Sequence, residues 1–304
     1  MTRQPHDQFA KQYLAGLLEP LGTVEISREV SPEIRQVDVF FAPAPTANPH
    51  QLGLLGQMVE RTCLLEAFRN QPTPTEIRTC ILKLIAVQTE QQRQARRENQ
   101  QLEEENLASL WILTPSASTG LIAAARAELA NQKWPKGIYF LADILKTAIV
   151  AINQLPTTPE TLWVRILGKG ATQKQAINEL LALAIDHPFR MKTLEQISMW
   201  RINIESQQNV SEEDRELIMN LSPAYVEWRQ ATLQEGRLEG QRSGRLQERR
   251  LFVENLLRIR FGSLEPELVQ IIEPMIELST DELVPLLWQL SQTELLARFT
   301  PHEN

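Results

Sequence analysis

Two acidic residues stand where a charge is costly. Asp38 lies inside Val37-Asp38-Val39-Phe40-Phe41, and Glu66 inside Cys63-Leu64-Leu65-Glu66-Ala67-Phe68. Both runs read as apolar strands, and a carboxylate taken out of water there demands a counter-charge. One partner would be a metal ion, since side chains at the ends of neighbouring strands can share a cation. The other would be structural: Asp38 at a strand end accepting backbone or arginine hydrogen bonds, and Glu66 paired with Arg35 or Arg69. Glu19, Glu25 and Glu29 could add a further carboxylate, because alternation in Val24 to Val30 sets Glu25 and Glu29 on one face.

Other chemistries have less behind them. His6, His50, His187 and His302 are scattered, without the spacing of a zinc site or a catalytic triad. Cys63 and Cys80 form no C-x-x-C pair, so neither a zinc site nor a disulfide framework is expected. Leu167-Gly168-Lys169-Gly170 is glycine-rich but lacks Walker spacing and a preceding strand, so it reads as a turn. Arg93, Arg96 and Arg97 fall on a helix rich in Gln and Glu and read as a solvated face. Trp111, Trp163, Trp200, Trp228 and Trp288 read as core residues.

The elements that must position the two carboxylates follow from periodicity. Phe9, Tyr13, Leu14, Leu17 and Leu18 recur at helical spacing. Residues 23–30 and 36–43 read as a hairpin turning at Ser31-Pro32-Glu33, with Pro43, Pro45 and Pro49 ending its second strand. A short helix over 49–61, a third strand at 62–69 and a helix from 73 with Thr75 as its N-cap come next. Residues 107–116 read as a buried strand, 118–129 as helix, 137–142 as a strand, and 147–156 as a strand or helix continuation. Strands alternating with helices up to Pro156 predict an α/β core.

Beyond Pro159 the strand signals stop. A helix pattern interrupted at Gly168-Lys169-Gly170 is followed by a helix pair whose second member is long, with Ser211 and Asp214 resembling a capping signal and Gly262 ending it. Gly236, Gly240 and Gly244 repeat every four residues along that long helix, on one face. Each costs about 1 kcal/mol relative to alanine, which the close approach of a second helix would explain; the alternative is a solvated, partly frayed linker helix. The predicted organisation is an α/β domain at 1–156, a helical extension at 157–230, the long helix at 231–262 and a small helical domain at 263–304.

The 304 residues carry a net charge of −7, which argues against a surface that traps nucleic acid everywhere while leaving room for a local basic groove. A polar, helix-like start and the absence of any long apolar run predict no membrane span and a cytoplasmic location.

His6-Asp7-Gln8-Phe9-Ala10-Lys11 resembles the opening motif of the Rpn-type, transposase-associated PD-(D/E)XK nuclease-like family, with the lysine one place later. Arg35 to Pro43 resembles that family's strand bearing the metal-binding aspartate. The glycine repeat and the helices after it resemble a helical domain of unknown function that follows such domains, mostly in cyanobacterial proteins. The resemblance implies a restriction-endonuclease-like α/β (α+β) core, a mixed sheet flanked by helices, followed by an all-α extension. It implies Mg²⁺-dependent DNA cleavage with Asp38 and Glu66 holding the metal. The lysine expected two places beyond Glu66 is Phe68 here, so Arg69, through a bulge, or Arg78 on the next helix would take its part. The alternative is an inactive nuclease fold used as an interaction or assembly module, self-associating through the long helix.

Overall fold

The structure, a computed structural model, describes residues 5–28, 36–46, 48–129, 133–206 and 212–299. The chain divides into two compact units, Met1–Arg229 and Gln230–Asn304.

In the first unit, helix α1 (Pro5–Leu18) leads into a hairpin of β1 (Gly22–Arg28) and β2 (Val37–Pro43), whose turn at Ser31-Pro32-Glu33 lies outside the described residues. Then come α2 (Gly53–Met58), β3 (Cys63–Ala67), α3 (Pro74–Arg97), β4 (Ser109–Thr114), α4 (Thr119–Ala124), β5 (Glu128–Leu129), β6 (Ile138–Phe140) and β7 (Thr147–Ala151). The strands form one mixed sheet in the order β1-β2-β3-β4-β7-β6-β5. β1, β2 and β3 run antiparallel in turn, β3, β4 and β7 run parallel, and β6 and β5 return antiparallel. The expected mixed sheet flanked by helices is therefore present. Its central strands β4 and β7 are almost wholly buried, as parallel strands covered on both faces must be.

Strand alternation sorts the core into two layers. Phe41, Leu65, Leu113 and Val150 face a layer containing α1, α2, α5 (Leu162–Arg165), α6 (Gly170–Ala182) and α7 (Arg190–Glu205). Phe40, Leu64, Ile112 and Ile149 face α3, which offers Ile77, Cys80, Leu84 and Val87. Helices α5 to α7, expected as an extension after the α/β domain, share the core of the first unit with α1. Phe9 stacks on Trp200 of α7 with ring centroids 3.9 Å apart, and the Tyr13 hydroxyl donates to the Trp163 carbonyl at 2.7 Å.

Three expectations are corrected. The N-cap of α3 is Thr73, not Thr75: Pro74 fills the first helical position, and Thr73 and Glu76 form a capping box. The expected helix pair is one helix, α8 (Glu212–Phe261), of 50 residues, which runs through Pro223. A proline inside a helix costs about 3 kcal/mol; here its neighbours Leu221 and Ala224 are completely buried in the core and hold the helix in place. Trp288, expected in the core, is 82% exposed, on the outward face of its helix. Ser211 lies outside the described residues, and Asp214 is committed to an ion pair with Arg69.

In the second unit, Val253 and Leu257 of α8 pack with Leu268 of α9 (Pro266–Gln270), Ile272 and Met275 of α10 (Ile272–Ile276), Leu283 and Leu287 of α11 (Thr280–Gln289) and Leu295 of α12 (Gln292–Phe299). Gly262 ends α8 at φ +83°, as expected. Residues 232–248 of α8 are exposed along their whole length. Among the described residues, no helix is long and apolar enough to cross a membrane.

Candidate active site

The β2/β3 ladder pairs Phe41 with Cys63, Phe40 with Leu64 and Val39 with Leu65. One further step of that register sets Asp38 opposite Glu66. Like charges facing each other across a strand pair are destabilising, and the local structure answers in two ways. Backbone groups approach each carboxylate: the Asp38 amide donates to Glu66 Oε1 at 3.4 Å, and the Ala67 amide donates to Asp38 Oδ2 at 3.3 Å. Each carboxylate thus accepts from the other strand where the ladder stops. In addition, two ammonium groups arrive from opposite layers. Lys83 of α3 lies 2.7 Å and 2.9 Å from the two oxygens of Glu66, and Lys11 of α1 lies 2.9 Å from Asp38 Oδ1.

The two pairs differ in exposure. Glu66 is 2% exposed and Lys83 7%, whereas the side chains of Asp38 and Lys11 keep 15% and 12%. Burial pushes the Glu66 carboxyl up to about 7, and the nearby Asp38 charge pushes the same way; Lys83 opposes both without cancelling them. Cys80, on the same face of α3, has its thiol raised by burial and then by Glu66. On the other side of Asp38, by the β1/β2 register, stands Ser27, at φ +56° in the left-handed region that non-glycine residues seldom adopt.

The other expected residues are placed elsewhere. Arg69 pairs with Asp214 at the start of α8. It also lines a cavity of about 420 Å³ with Asn153, Lys169 and the first turn of α6. Arg78 is exposed and donates to Thr75 Oγ1 at 2.9 Å. Glu19 pairs with Lys192 and Glu25 with Arg28, both near the surface. Glu29 and Arg35 lie outside the described residues. Gly168 and Lys169 lie between α5 and α6, Gly170 opens α6, and Arg93, Arg96 and Arg97 are exposed.

No protein-family model, curated protein or solved structure matches the chain. The sequence reading of the counter-charge named arginines or a metal and missed both lysines. Lys83 had a legible signal: it follows Cys80 by three residues and precedes Val87 by four, so it falls on the apolar stripe that faces the sheet. Phe68, in the position where a strand lysine was expected, packs against that same layer.

Among the described residues there is no group of three or more His, Cys, Asp or Glu suited to hold a metal. A cation here would have Asp38 and Glu66 as its protein ligands, each of them already facing an ammonium group; Mg²⁺ is commonly held by one or two carboxylates, with water and substrate oxygens completing its shell.

Proposed function

We propose that the first unit is a Mg²⁺-dependent DNA endonuclease with a restriction-endonuclease-like core, in the manner of the Rpn-type nucleases. The observation that carries this reading is the juxtaposition of Asp38 and Glu66 across β2 and β3 with the Lys83 ammonium on Glu66. The mixed sheet, with α1 ahead of the hairpin and α3 between β3 and β4, supports it.

Asp38 and Glu66 would hold the cation, which when bound supplies Lewis-acid stabilisation of charge on the phosphate and lowers the pKa of a bound water. Lys83 takes the part expected of Arg69 or Arg78. Its position on the helix, rather than on the strand, is what allows Phe68 to remain in the core. In this reading the Lys83 ammonium would orient a water and balance an anionic phosphate. With Glu66 ionised, the four side chains sum to zero charge, two carboxylates against two ammoniums. A divalent cation added to that set leaves a surplus of two positive charges, which favours an anionic diester over a neutral substrate.

A second reading has its own observation. Both carboxylates already hold ammonium partners, and the Glu66–Lys83 pair is nearly closed to solvent. An inactive nuclease fold, with the charge cluster fixing the end of β2 against β3, would have this geometry too. The two readings separate on metal and DNA. Purified protein is incubated with plasmid and Mg²⁺ beside Asp38→Ala, Glu66→Gln and Lys83→Met, and each protein's melting temperature is followed with Mg²⁺ alone. The nuclease reading expects nicking by the wild type, lost in all three variants, and a Mg²⁺-dependent rise in melting temperature that Asp38→Ala and Glu66→Gln lack. Cleavage that is absent in the wild type or equal in the variants removes it, and an unchanged melting temperature with Mg²⁺ favours the inactive fold.

A further inference from the structure

Two ammonium groups stand on the Asp38–Glu66 cluster, and they are held unequally. Lys83 bonds both oxygens of Glu66, and the two side chains are 9% and 3% exposed. Lys11 reaches one oxygen, Asp38 Oδ1, at 2.9 Å, and that pair keeps 12% and 15% exposure. The other oxygen of Asp38, Oδ2, accepts from the Ala67 amide, so the carboxylate stays fixed to β3 whatever Lys11 does. Breaking an ion pair that is closed to water strands an uncompensated charge. Breaking one that still meets water at both ends loses far less, because water takes over each partner. Lys11 is therefore the ammonium that can leave, and Lys83 the one that stays.

The helix that carries Lys11 is anchored on both sides of it. Ala10, Tyr13 and Leu14 are buried, the Tyr13 hydroxyl is bonded to the Trp163 carbonyl, and Phe9 is stacked on Trp200. What keeps its freedom is the side chain, a compact charge with three rotatable donors on a flexible four-carbon stem. A divalent cation at Asp38 would repel this ammonium and compete with it for Oδ1. Driven off Asp38, the ammonium remains tethered beside the cluster by its own stem, on the site that an anionic DNA phosphate would approach.

We infer that Lys11 is an exchangeable counter-ion: it holds Asp38 before the cation binds, yields that oxygen to Mg²⁺, and transfers to a phosphate of the DNA substrate. This rests on the nuclease reading and adds to it a substrate-binding residue from the first helix and an order of events. Lys11 and Mg²⁺ are rivals at Asp38 but partners on DNA.

The test lies in two affinities that must move in opposite directions. Mg²⁺ binding to the full chain is measured by calorimetry, without DNA, for the wild type, Lys11→Met and Asp38→Ala. DNA binding is measured at saturating Mg²⁺ by fluorescence anisotropy, on a short phosphorothioate duplex that resists cleavage, over a series of KCl concentrations. Lys11→Met is expected to bind Mg²⁺ about tenfold tighter than the wild type, because a rival charge has gone. It is expected to bind the duplex about tenfold more weakly, with the slope of log K against log salt shallower by about one, as the loss of one phosphate contact requires. Lys11→Arg should keep the wild-type slope. A lysine with only a structural role would not raise Mg²⁺ affinity on removal. Lys11→Gln is read in the same way and serves if circular dichroism shows Lys11→Met unfolded. Mg²⁺ binding that needs Asp38 but is unchanged or weakened in Lys11→Met overturns the inference and leaves the nuclease reading in place. So does a duplex affinity and salt slope equal to the wild type. A wild type that binds no Mg²⁺, or no more tightly than Asp38→Ala, removes the nuclease reading and this inference with it.

Discussion

At Glu66 a buried carboxyl group sits between an ammonium that favours its charge and an aspartate that opposes it, and burial tips the balance toward the proton. The sign of the resulting pH dependence follows directly. Because the folded protein holds this proton more tightly than the unfolded chain, the contribution to stability is complete below the ordinary carboxylate range and is lost as pH rises through about 7. Urea unfolding of the wild type beside Glu66→Gln should show the stability difference, wild type minus variant, falling between about pH 4.5 and pH 7. A difference that stays flat over this window would mean that Lys83 keeps Glu66 ionised throughout. Lys83→Met probes the same pair from the other side. Removing the ammonium from a buried ion pair costs about 3–5 kcal/mol; the loss should be larger at pH 8 than at pH 6, where Glu66 can escape by protonation. The double variant Glu66→Gln/Lys83→Met should lose less than the sum of the two single changes, since neither then leaves an orphan charge. Additive losses would mean that the 2.7 Å contact carries no coupling.

The elements carry a different lesson. α3 starts where the capping box of Thr73 and Glu76 satisfies its first amide groups, and Thr73→Ala should cost about 1 kcal/mol in chemical denaturation, whereas Thr75→Ala should cost much less. Equal losses would return the cap to Thr75. Most of the strands and helices of the first unit were legible because their apolar patterns are clean: continuous apolar runs in β2 and β4, and a period of 3.6 in α1 and α3. The juxtaposition of Asp38 and Glu66 was legible for the same reason, since a charge within a continuous apolar run stands out. The counter-ions were not. Lys83 was hidden because the search for a base followed the strand beyond Glu66, while the ammonium comes from the face of a helix 17 residues on. Lys11 was visible as part of an N-terminal motif, but nothing local to it says that it reaches Asp38. The partner of Arg69 lies 145 residues away, a separation over which no periodicity carries information. Pro223 misled in the other direction, because its cost inside a helix is overridden by the burial of Leu221 and Ala224.

At the scale of the molecule, the chain contains two sets of buried side chains that do not share residues, one around the sheet and one at its C-terminal helices. Each set should unfold as its own cooperative step. Leu257→Ala, which empties a completely buried position in the second unit, should destabilise that step by about 2–5 kcal/mol and leave the transition of the first unit where it was. Calorimetry reads both; a single transition that moves as a whole would show that the two cores melt together.

The packing of α1 against α7 also sets a timetable. Phe9 stacks on Trp200, a ring that leaves the ribosome 191 residues later. At about 5–20 residues per second, that is a wait of roughly ten to forty seconds. Throughout it the apolar face of α1, with Phe9, Tyr13, Leu14 and Leu17, lacks part of the layer that will cover it. During synthesis, this apolar face is open to a holding chaperone until α7 emerges to cover it.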